Sequence, residues 1–131
     1  NWHHIAGTYS NNVGYIYLDG IQVAYSATMP VGGNILYGSD TIRIGMEGGA
    51  GAMRGLNGAV DEPVIYGRVL SSNEVFGIYS GGSPVRADTV TLGAVCAWHL
   101  DEGTGTNDAA FVGSIPGGHV GAVVWTNGVV Q

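Results

Sequence analysis

Residues 1–26 have the sequence NWHHIAGTYSNNVGYIYLDGIQVAYS, which contains the strongest strand and turn signals of the chain. Two alternating runs flank Asp19-Gly20. A two-residue Asp-Gly loop is the strongest short signal for a β-hairpin, because both residues of such a turn need positive φ. Together with a turn at Asn11-Asn12, this pattern predicts three successive antiparallel strands, at residues 2–9, 13–18 and 21–26.

The Asp19-Gly20 turn also predicts which residues pair, because side chains alternate between the two faces of a strand. Two pairs form one apolar face: Leu18 with Ile21, and Ile16 with Val23. The other face holds Tyr15, Tyr17, Gln22 and Ala24. The hairpin is therefore predicted to have one aliphatic face and one face that carries the tyrosines.

The composition of the chain is typical of short strands joined by tight turns. The chain includes 24 glycines, no lysine and only 11% charged residues. Its 131 residues are the length of one domain. One segment differs, because Ser71 and Glu74 have capping-box spacing, with Leu70 and Val75 at the hydrophobic-staple positions. We therefore predict an all-β fold with one short helix at residues 71–79.

The charge of the chain argues against several classes of partner. Ten acidic residues outnumber four scattered arginines, giving a formal net charge of −6. Phosphate binding needs clustered cations, so nucleic acid and anionic membranes are poor partners. No apolar stretch reaches the roughly 18 residues of a membrane span. An acidic, lysine-free surface suits an extracellular protein that binds neutral ligands or cations.

The single cysteine, Cys96, cannot form an internal disulfide. It lies in an apolar run, so we expect a buried and inert thiol, with an intermolecular bridge as the alternative.

Three segments resemble laminin-G-like modules of the concanavalin-A-like superfamily. They are residues 2–20 with the motifs WHHIAGTY and YLDG, residues 58–74 with GAVDEPVIY and RVLS, and residues 98–108 with WHLDEGTGT. The resemblance implies an antiparallel jelly-roll sandwich of two sheets. It also implies a secreted, non-catalytic binding module.

The order of these segments is inverted, because the third resembles the start of a family domain and the others its end. Residues 1–80 then correspond to the C-terminal part of a laminin-G-like sandwich, residues 81–92 to a linker, and residues 93–131 to the N-terminal part. The chain either spans two tandem modules or is a permuted module in which residues 58–66 pair with residues 93–100. Both interpretations leave sheet edges open to another strand, which predicts self-association.

The acidic residues do not have the spacing of a glycosidase. Such enzymes of this superfamily place carboxylates at alternate positions of one strand, so that both face the substrate. The pairs Asp61-Glu62 and Asp101-Glu102 are adjacent instead, and would face opposite sides of a strand. No serine-nucleophile or phosphate-loop motif is present. We therefore predict that the chain is not an enzyme.

Calcium is the metal that the sequence favours. Ca²⁺ binds about six to eight oxygens, which an Asp- and Gly-rich loop can supply. Since the resemblance brings the last strand of the domain beside the first, the candidate ligands are Asp61, Asp101 and Asp108. The alternative is that these acids cap turns in solvent.

The histidines are weaker metal signals. His3 and His4 are consecutive, so on a strand they would face opposite sides. His99 and Asp101 share a face by alternation, but Asp101 is assigned to the loop that follows.

Tyr15 and Gln22 are the candidate ligand-binding residues. Sugars stack their C–H faces on aromatic rings while an amide orients their hydroxyls, although Tyr15 could equally pack beneath a second layer. Tyr17 matches a framework position of the family and is expected in the core. We predict an extracellular binding or adhesion module for a glycan or cell-surface polysaccharide. The alternative is a structural subunit of an extracellular homo-oligomer or filament that assembles through open sheet edges.

Overall fold

The computed structural model of the chain describes residues 1–26, 41–46, 55–79, 91–119, 123–126 and 128. These residues form, in chain order, β1 (Ile5–Ser10), β2 (Val13–Leu18), β3 (Ile21–Ser26), β4 (Val64–Tyr66), α1 (Ser72–Tyr79), β5 (Ala94–Trp98), β6 (Asn107–Asp108), β7 (Ala110–Val112) and β8 (Gly117–Gly118). Residues 81–90 of the predicted linker lie outside the described residues. The described strands form antiparallel sheets in the orders β1-β2-β3, β4-β5-β7 and β6-β8. The predicted all-β fold with one short helix is confirmed.

The first sheet is the predicted pair of hairpins. Asp19 and Gly20 have φ of 51° and 76°, so this turn adopts the predicted left-handed backbone, and Asn11 and Asn12, with φ of 49° and 64°, adopt it as well. The first strand begins at Ile5 rather than at residue 2. The register of β1 on β2 then runs without interruption from Ile5–Leu18 to Ser10–Val13.

A β-bulge in β3 corrects the predicted register of the second hairpin. Leu18 pairs with Ile21 as predicted, but Ile16 pairs with Ala24, so the predicted Ile16–Val23 pair is wrong. Val23 is the extra residue of the bulge, which a simple count of two residues per repeat cannot detect. Beyond the bulge, Tyr25 pairs with Tyr15.

Helix α1 begins with the predicted capping box. The Ser71 hydroxyl accepts a hydrogen bond from the Glu74 amide at 3.2 Å, and a Glu74 carboxylate oxygen accepts one from the Ser71 amide at 2.8 Å. Leu70 and Val75, the predicted staple residues, are both buried in one cluster with Tyr17. The cap therefore orients a helix that covers one face of the first sheet.

The turn of the second hairpin lies close to this helix. A Cβ atom at Gly20 would lie 3.0 Å from side-chain atoms of both Phe76 and Tyr79, and its φ is positive. Any other residue at this position would therefore be strained and would push the hairpin away from the helix.

The second sheet joins the two halves of the sequence. Strand β4 pairs with β5 through Val64–Ala97 and Ile65–Cys96, the pairing that the permuted-module alternative includes. Cys96, Ala97 and Trp98 are buried, as predicted for the thiol of Cys96. The Trp98 indole N–H donates to the carbonyl of Ile115 at 3.1 Å, so the ring is both packed and hydrogen-bonded.

Candidate functional site

The inner face of the first sheet, which carries Ala6, Tyr15 and Tyr17, has a covered part and an open part. Tyr17 is only 3% exposed beneath α1, and its hydroxyl lies 3.2 Å from the Ser72 hydroxyl. Tyr15 is half-buried and packs at the edge of the same cluster. The expectation that Tyr17 belongs to the core is therefore confirmed.

A pair of tyrosines forms the open part of this face. The ring centroids of Tyr15 and Tyr25 lie 6.4 Å apart at 33°, and Tyr25 is 69% exposed. Gln22, which pairs with Tyr17, is also exposed. We name Tyr15, Gln22 and Tyr25 the tyrosine surface. Sequence reasoning found two of its members and missed Tyr25, because the bulge that turns this residue toward Tyr15 leaves no mark in the alternation.

The outer face of the same sheet is aliphatic and exposed. It carries Ile5, Ile16, Leu18 and Ile21, of which Ile5 is 73% exposed and even Leu18 is 39% exposed. The bulge residue Val23 is exposed as well. An apolar group of this kind on a sheet face is typical of an interaction surface, because burial of its side chains would be favourable.

Of the three aspartates predicted to bind calcium, the structure places one in a group of potential metal ligands. Among the described residues, Glu62, His99 and Asp101 each offer a ligand atom, and these atoms lie within 4.8 Å of one another. Asp61 and Asp108 are not members of this group. Asp108 is buried, and its carboxylate lies 2.9 Å from Nε2 of His119. Calcium binding by the three aspartates stays a prediction.

The Glu62–His99–Asp101 group is held by the second sheet. Nδ1 of His99 lies 3.0 and 3.1 Å from the two carboxylate oxygens of Glu62. The imidazole stacks on the Phe111 ring with centroids 3.9 Å apart and planes 6° from parallel. Glu62 and Leu100 have φ of 52° and 62°, a left-handed backbone that turns the chain just outside the paired strands.

Sequence reasoning missed Glu62 and His99 as members of this group. The signal that could have found them is the alternation of His99 and Asp101, combined with the pairing of the two strands. Val64 pairs with Ala97, and the same register continued by two residues on each strand aligns Glu62 with His99.

The histidines at the start of the chain have separate surroundings. Nδ1 of His3 lies 2.8 Å from the Asp19 carboxylate, which also accepts the His4 amide at 3.0 Å. These two hydrogen bonds, the one to His3 first, lower the pKa of Asp19. The His4 ring instead stacks near Tyr79, and burial lowers its pKa. The two rings therefore contact different parts of the molecule, as expected for consecutive residues.

A cleft of about 440 Å³ lies beside α1, and its two charged side chains, Arg68 and Glu74, pair with each other. The Arg68 guanidinium lies 2.7 Å from the Glu74 carboxylate and donates to the carbonyl of Leu92 at 3.1 Å. Arg68 first, and the Ser71 cap second, lower the pKa of Glu74 to about 2. These contacts hold the start of the helix, so the cleft has a structural role.

Comparison with known proteins agrees with the fold. The Laminin_G_3 family model, described as concanavalin A-like lectin/glucanases superfamily, matches residues 1–76, more than half of the chain. No match was found among curated proteins or among solved structures. Among the described residues, no helix is long and apolar enough to cross a membrane.

The family match bears on the class of function and on the order of the three segments. Laminin-G-like domains include binding modules, are generally non-catalytic and are commonly extracellular. The match covers the first two of the three resembling segments, while the third, at residues 98–108, lies beyond it, so the inverted order stays a prediction. The chain belongs to the Laminin_G_3 family of the concanavalin A-like lectin/glucanases superfamily.

Proposed function

We propose that the chain is a non-catalytic extracellular module that binds neutral carbohydrate through the tyrosine surface. The observation that carries this proposal is the cross-strand pair of Tyr15 and Tyr25, with one ring half-buried and the other exposed. A half-buried ring is fixed in place, while its exposed neighbour offers a face to solvent. Sugar C–H groups stack on such a face.

The polar groups around the pair suit hydroxyl-rich ligands. Gln22 offers both a donor and an acceptor in its side-chain amide, and Thr8, which pairs with Tyr15, offers a hydroxyl. None of these residues is charged. The surface is therefore suited to a neutral sugar rather than to a sulfated or sialylated one, since the chain is also acidic overall.

A glycan array followed by calorimetric titration tests this proposal. We expect wild-type protein to bind neutral oligosaccharides, and Tyr25→Ala to weaken binding about 10-fold or more, since aromatic contacts commonly dominate such sites. Ile21→Ala is the matched control, because it removes an exposed side chain from the outer face of the same strand. Absence of wild-type binding on the array, or an equal loss of affinity in both variants, would contradict the proposal.

Self-association is the second candidate function, and the exposed outer face favours it. The side chains of Ile5, Ile16, Leu18 and Ile21 form an uncharged patch on a protein of net charge −6. Two copies that meet through a neutral patch avoid the repulsion between their acidic surfaces. A second copy of the same chain is the expected occupant, since a two-fold axis makes an apolar sheet face self-complementary.

Sedimentation velocity over a range of protein concentrations tests self-association. We expect wild-type protein to form dimers or larger assemblies, and the double variant Ile16→Thr with Ile21→Thr to sediment as a monomer. Threonine keeps the β-branched shape that strands favour while it adds a hydroxyl. A wild-type protein that stays monomeric, or a double variant that assembles as before, would argue for the binding module alone.

A further inference from the structure

We infer that Glu62, His99 and Asp101 form a binding site for a divalent transition-metal ion such as Zn²⁺. This site shares only Asp101 with the calcium ligands predicted from the sequence. It also lies on the second sheet, so it is independent of the tyrosine surface and of the carbohydrate proposal.

Strand pairing brings the first two ligands together. Glu62 precedes β4 and His99 follows β5, and the Val64–Ala97 register continued outward aligns them. The Trp98 amide donates to the carbonyl of Pro63 at 3.2 Å, so the pairing extends up to the two ligands. Their approach is therefore set by backbone hydrogen bonds rather than by flexible side chains.

The distances are close to those that a metal ion needs. Zn²⁺ binds imidazole nitrogen and carboxylate oxygen at about 2.0–2.2 Å, so tetrahedral ligand atoms lie about 3.4 Å apart. Nδ1 of His99 lies 3.0–3.1 Å from the Glu62 oxygens, and the Asp101 oxygen belongs to the same group within 4.8 Å. Small side-chain rotations would therefore complete a three-ligand site with a fourth position for water.

The ligand chemistry selects the class of ion. One imidazole nitrogen favours Zn²⁺, Co²⁺ or Ni²⁺ over Ca²⁺, which binds oxygen ligands. Two carboxylates supply two negative charges, which a divalent cation neutralises. Nδ1 of His99 already lies at hydrogen-bonding distance from the Glu62 carboxylate, so an ion placed between these atoms replaces a contact that the fold has already formed.

Burial and stacking prepare the site. The side chain of Glu62 is 9% exposed and that of His99 is 22% exposed, so both are largely withdrawn from water, while Asp101 is exposed and leaves an entry path. Phe111 on β7 stacks on the imidazole and fixes the plane of the ring. Contacts that orient a histidine ligand commonly strengthen its metal binding.

Titration of metal-free protein, prepared with EDTA and without a histidine tag, tests the site. Competition with a chromogenic chelator measures the affinity for Zn²⁺, and thermal unfolding measures the stabilisation that binding to the folded state brings. We expect one Zn²⁺ per chain, a higher melting temperature with Zn²⁺, and visible absorption bands when Co²⁺ replaces it. Excess Ca²⁺ should neither compete with Zn²⁺ nor reproduce the thermal shift.

Three substitutions separate this site from adventitious binding. His99→Gln and Asp101→Asn should each weaken Zn²⁺ binding about 10-fold or more, since each removes a ligand. His119→Gln is the matched control, because His119 also pairs with a carboxylate but lies outside the group. Asp101 is exposed, so Asp101→Asn decides the question even where His99→Gln fails to fold.

The opposite results would overturn the inference. Absence of Zn²⁺ binding would identify Glu62 and His99 as a plain ion pair. Binding that survives both ligand substitutions but is lost in His3→Gln would assign the metal to the start of the chain. Stronger stabilisation by Ca²⁺ than by Zn²⁺ would refute the transition-metal assignment.

Discussion

The two faces of the β1-β2-β3 sheet are both rich in large apolar side chains, but only one of them is covered. On the inner face, Tyr17 is almost fully buried beneath α1. Its neighbour on the same strand, Ile16, lies on the outer face and is about half exposed. Alternation therefore tells which residues share a face, whereas coverage depends on Leu70 and Val75, which lie far along the chain.

The two faces of this sheet have different roles. Residues of the covered face determine stability, because they lose their packing when the chain unfolds. Residues of the exposed outer face, and of the open end of the inner face at Tyr25, remain available for partners. Substitutions on the two faces should consequently affect different measurements.

The largest difference is expected between truncations of adjacent residues. Tyr17→Ala removes a buried aromatic ring and should lower the free energy of unfolding by about 3 kcal/mol. Ile16→Ala on the outer face should lower it by less than about 1 kcal/mol. Urea denaturation followed by circular dichroism measures both. Equal destabilisation would show that the outer face is also packed in solution.

Loss of the helix cap should have the next largest effect. Ser71→Ala removes the acceptor for the Glu74 amide and should destabilise the protein by about 1 kcal/mol. Ser71→Asn keeps a capping side chain and should restore most of the stability, which thermal unfolding can measure. If alanine and asparagine behave alike, the helix does not rely on this cap to cover the inner face.

Removal of a single hydroxyl should lower the stability at one tyrosine of the inner face but not at another. Tyr17→Phe loses the contact with the Ser72 hydroxyl and should cost about 0.5–1.5 kcal/mol. Tyr25→Phe should leave the stability unchanged, because the exposed hydroxyl contacts water. If Tyr25→Phe lowers the free energy of unfolding as much as Tyr17→Phe does, the hydroxyl of Tyr25 is not exposed to solvent.

The smallest expected effect is a dependence of stability on acid pH. The pKa of Glu74 is lowered to about 2 by Arg68 and by the Ser71 cap. The ionised carboxylate therefore stabilises the folded state fully at a pH above 4.5, its ordinary pKa. That contribution is lost as the pH falls from 4.5 toward 2, and salt should weaken it because the pair is exposed.

Variants of the two regions should respond differently to acid. Glu74→Gln should flatten this part of the profile of unfolding midpoint against pH. Ile21→Ala should leave the shape of the profile as in the wild type, since strands β1 to β3, all of them described, carry no carboxylate or histidine on the outer face. An unchanged profile for Glu74→Gln would show that other carboxylates control acid stability.

Local signals in the sequence were sufficient for much of the fold. The Asp19-Gly20 turn and the Ser71–Glu74 capping box depend on residues close in the chain, and both were predicted with the correct partners. The bulge at Val23 was missed because both faces of this sheet carry apolar side chains. An extra residue in β3 therefore leaves the pattern of apolar residues in the sequence unchanged. The tyrosine surface was therefore only partly predictable.

The metal group was less predictable, because its members come from two distant segments. Adjacent acids such as Asp61 and Glu62 look alike in the sequence, and only the register of β4 on β5 selects Glu62 as the partner of His99. The left-handed backbone at Leu100 could not be predicted from the residue type either, since leucine rarely adopts this conformation.

Side-chain NMR during titration with a neutral oligosaccharide tests most directly whether the tyrosine surface binds carbohydrate. The side-chain amide of Gln22 and the ring of Tyr25 report on this surface, while the δ-methyl groups of Ile16 and Ile21 report on the outer face. We predict saturable shifts of the Gln22 and Tyr25 signals with the two methyl signals unchanged. Shifts confined to the isoleucine methyls, or no shift with any neutral oligosaccharide, would contradict carbohydrate binding at this surface.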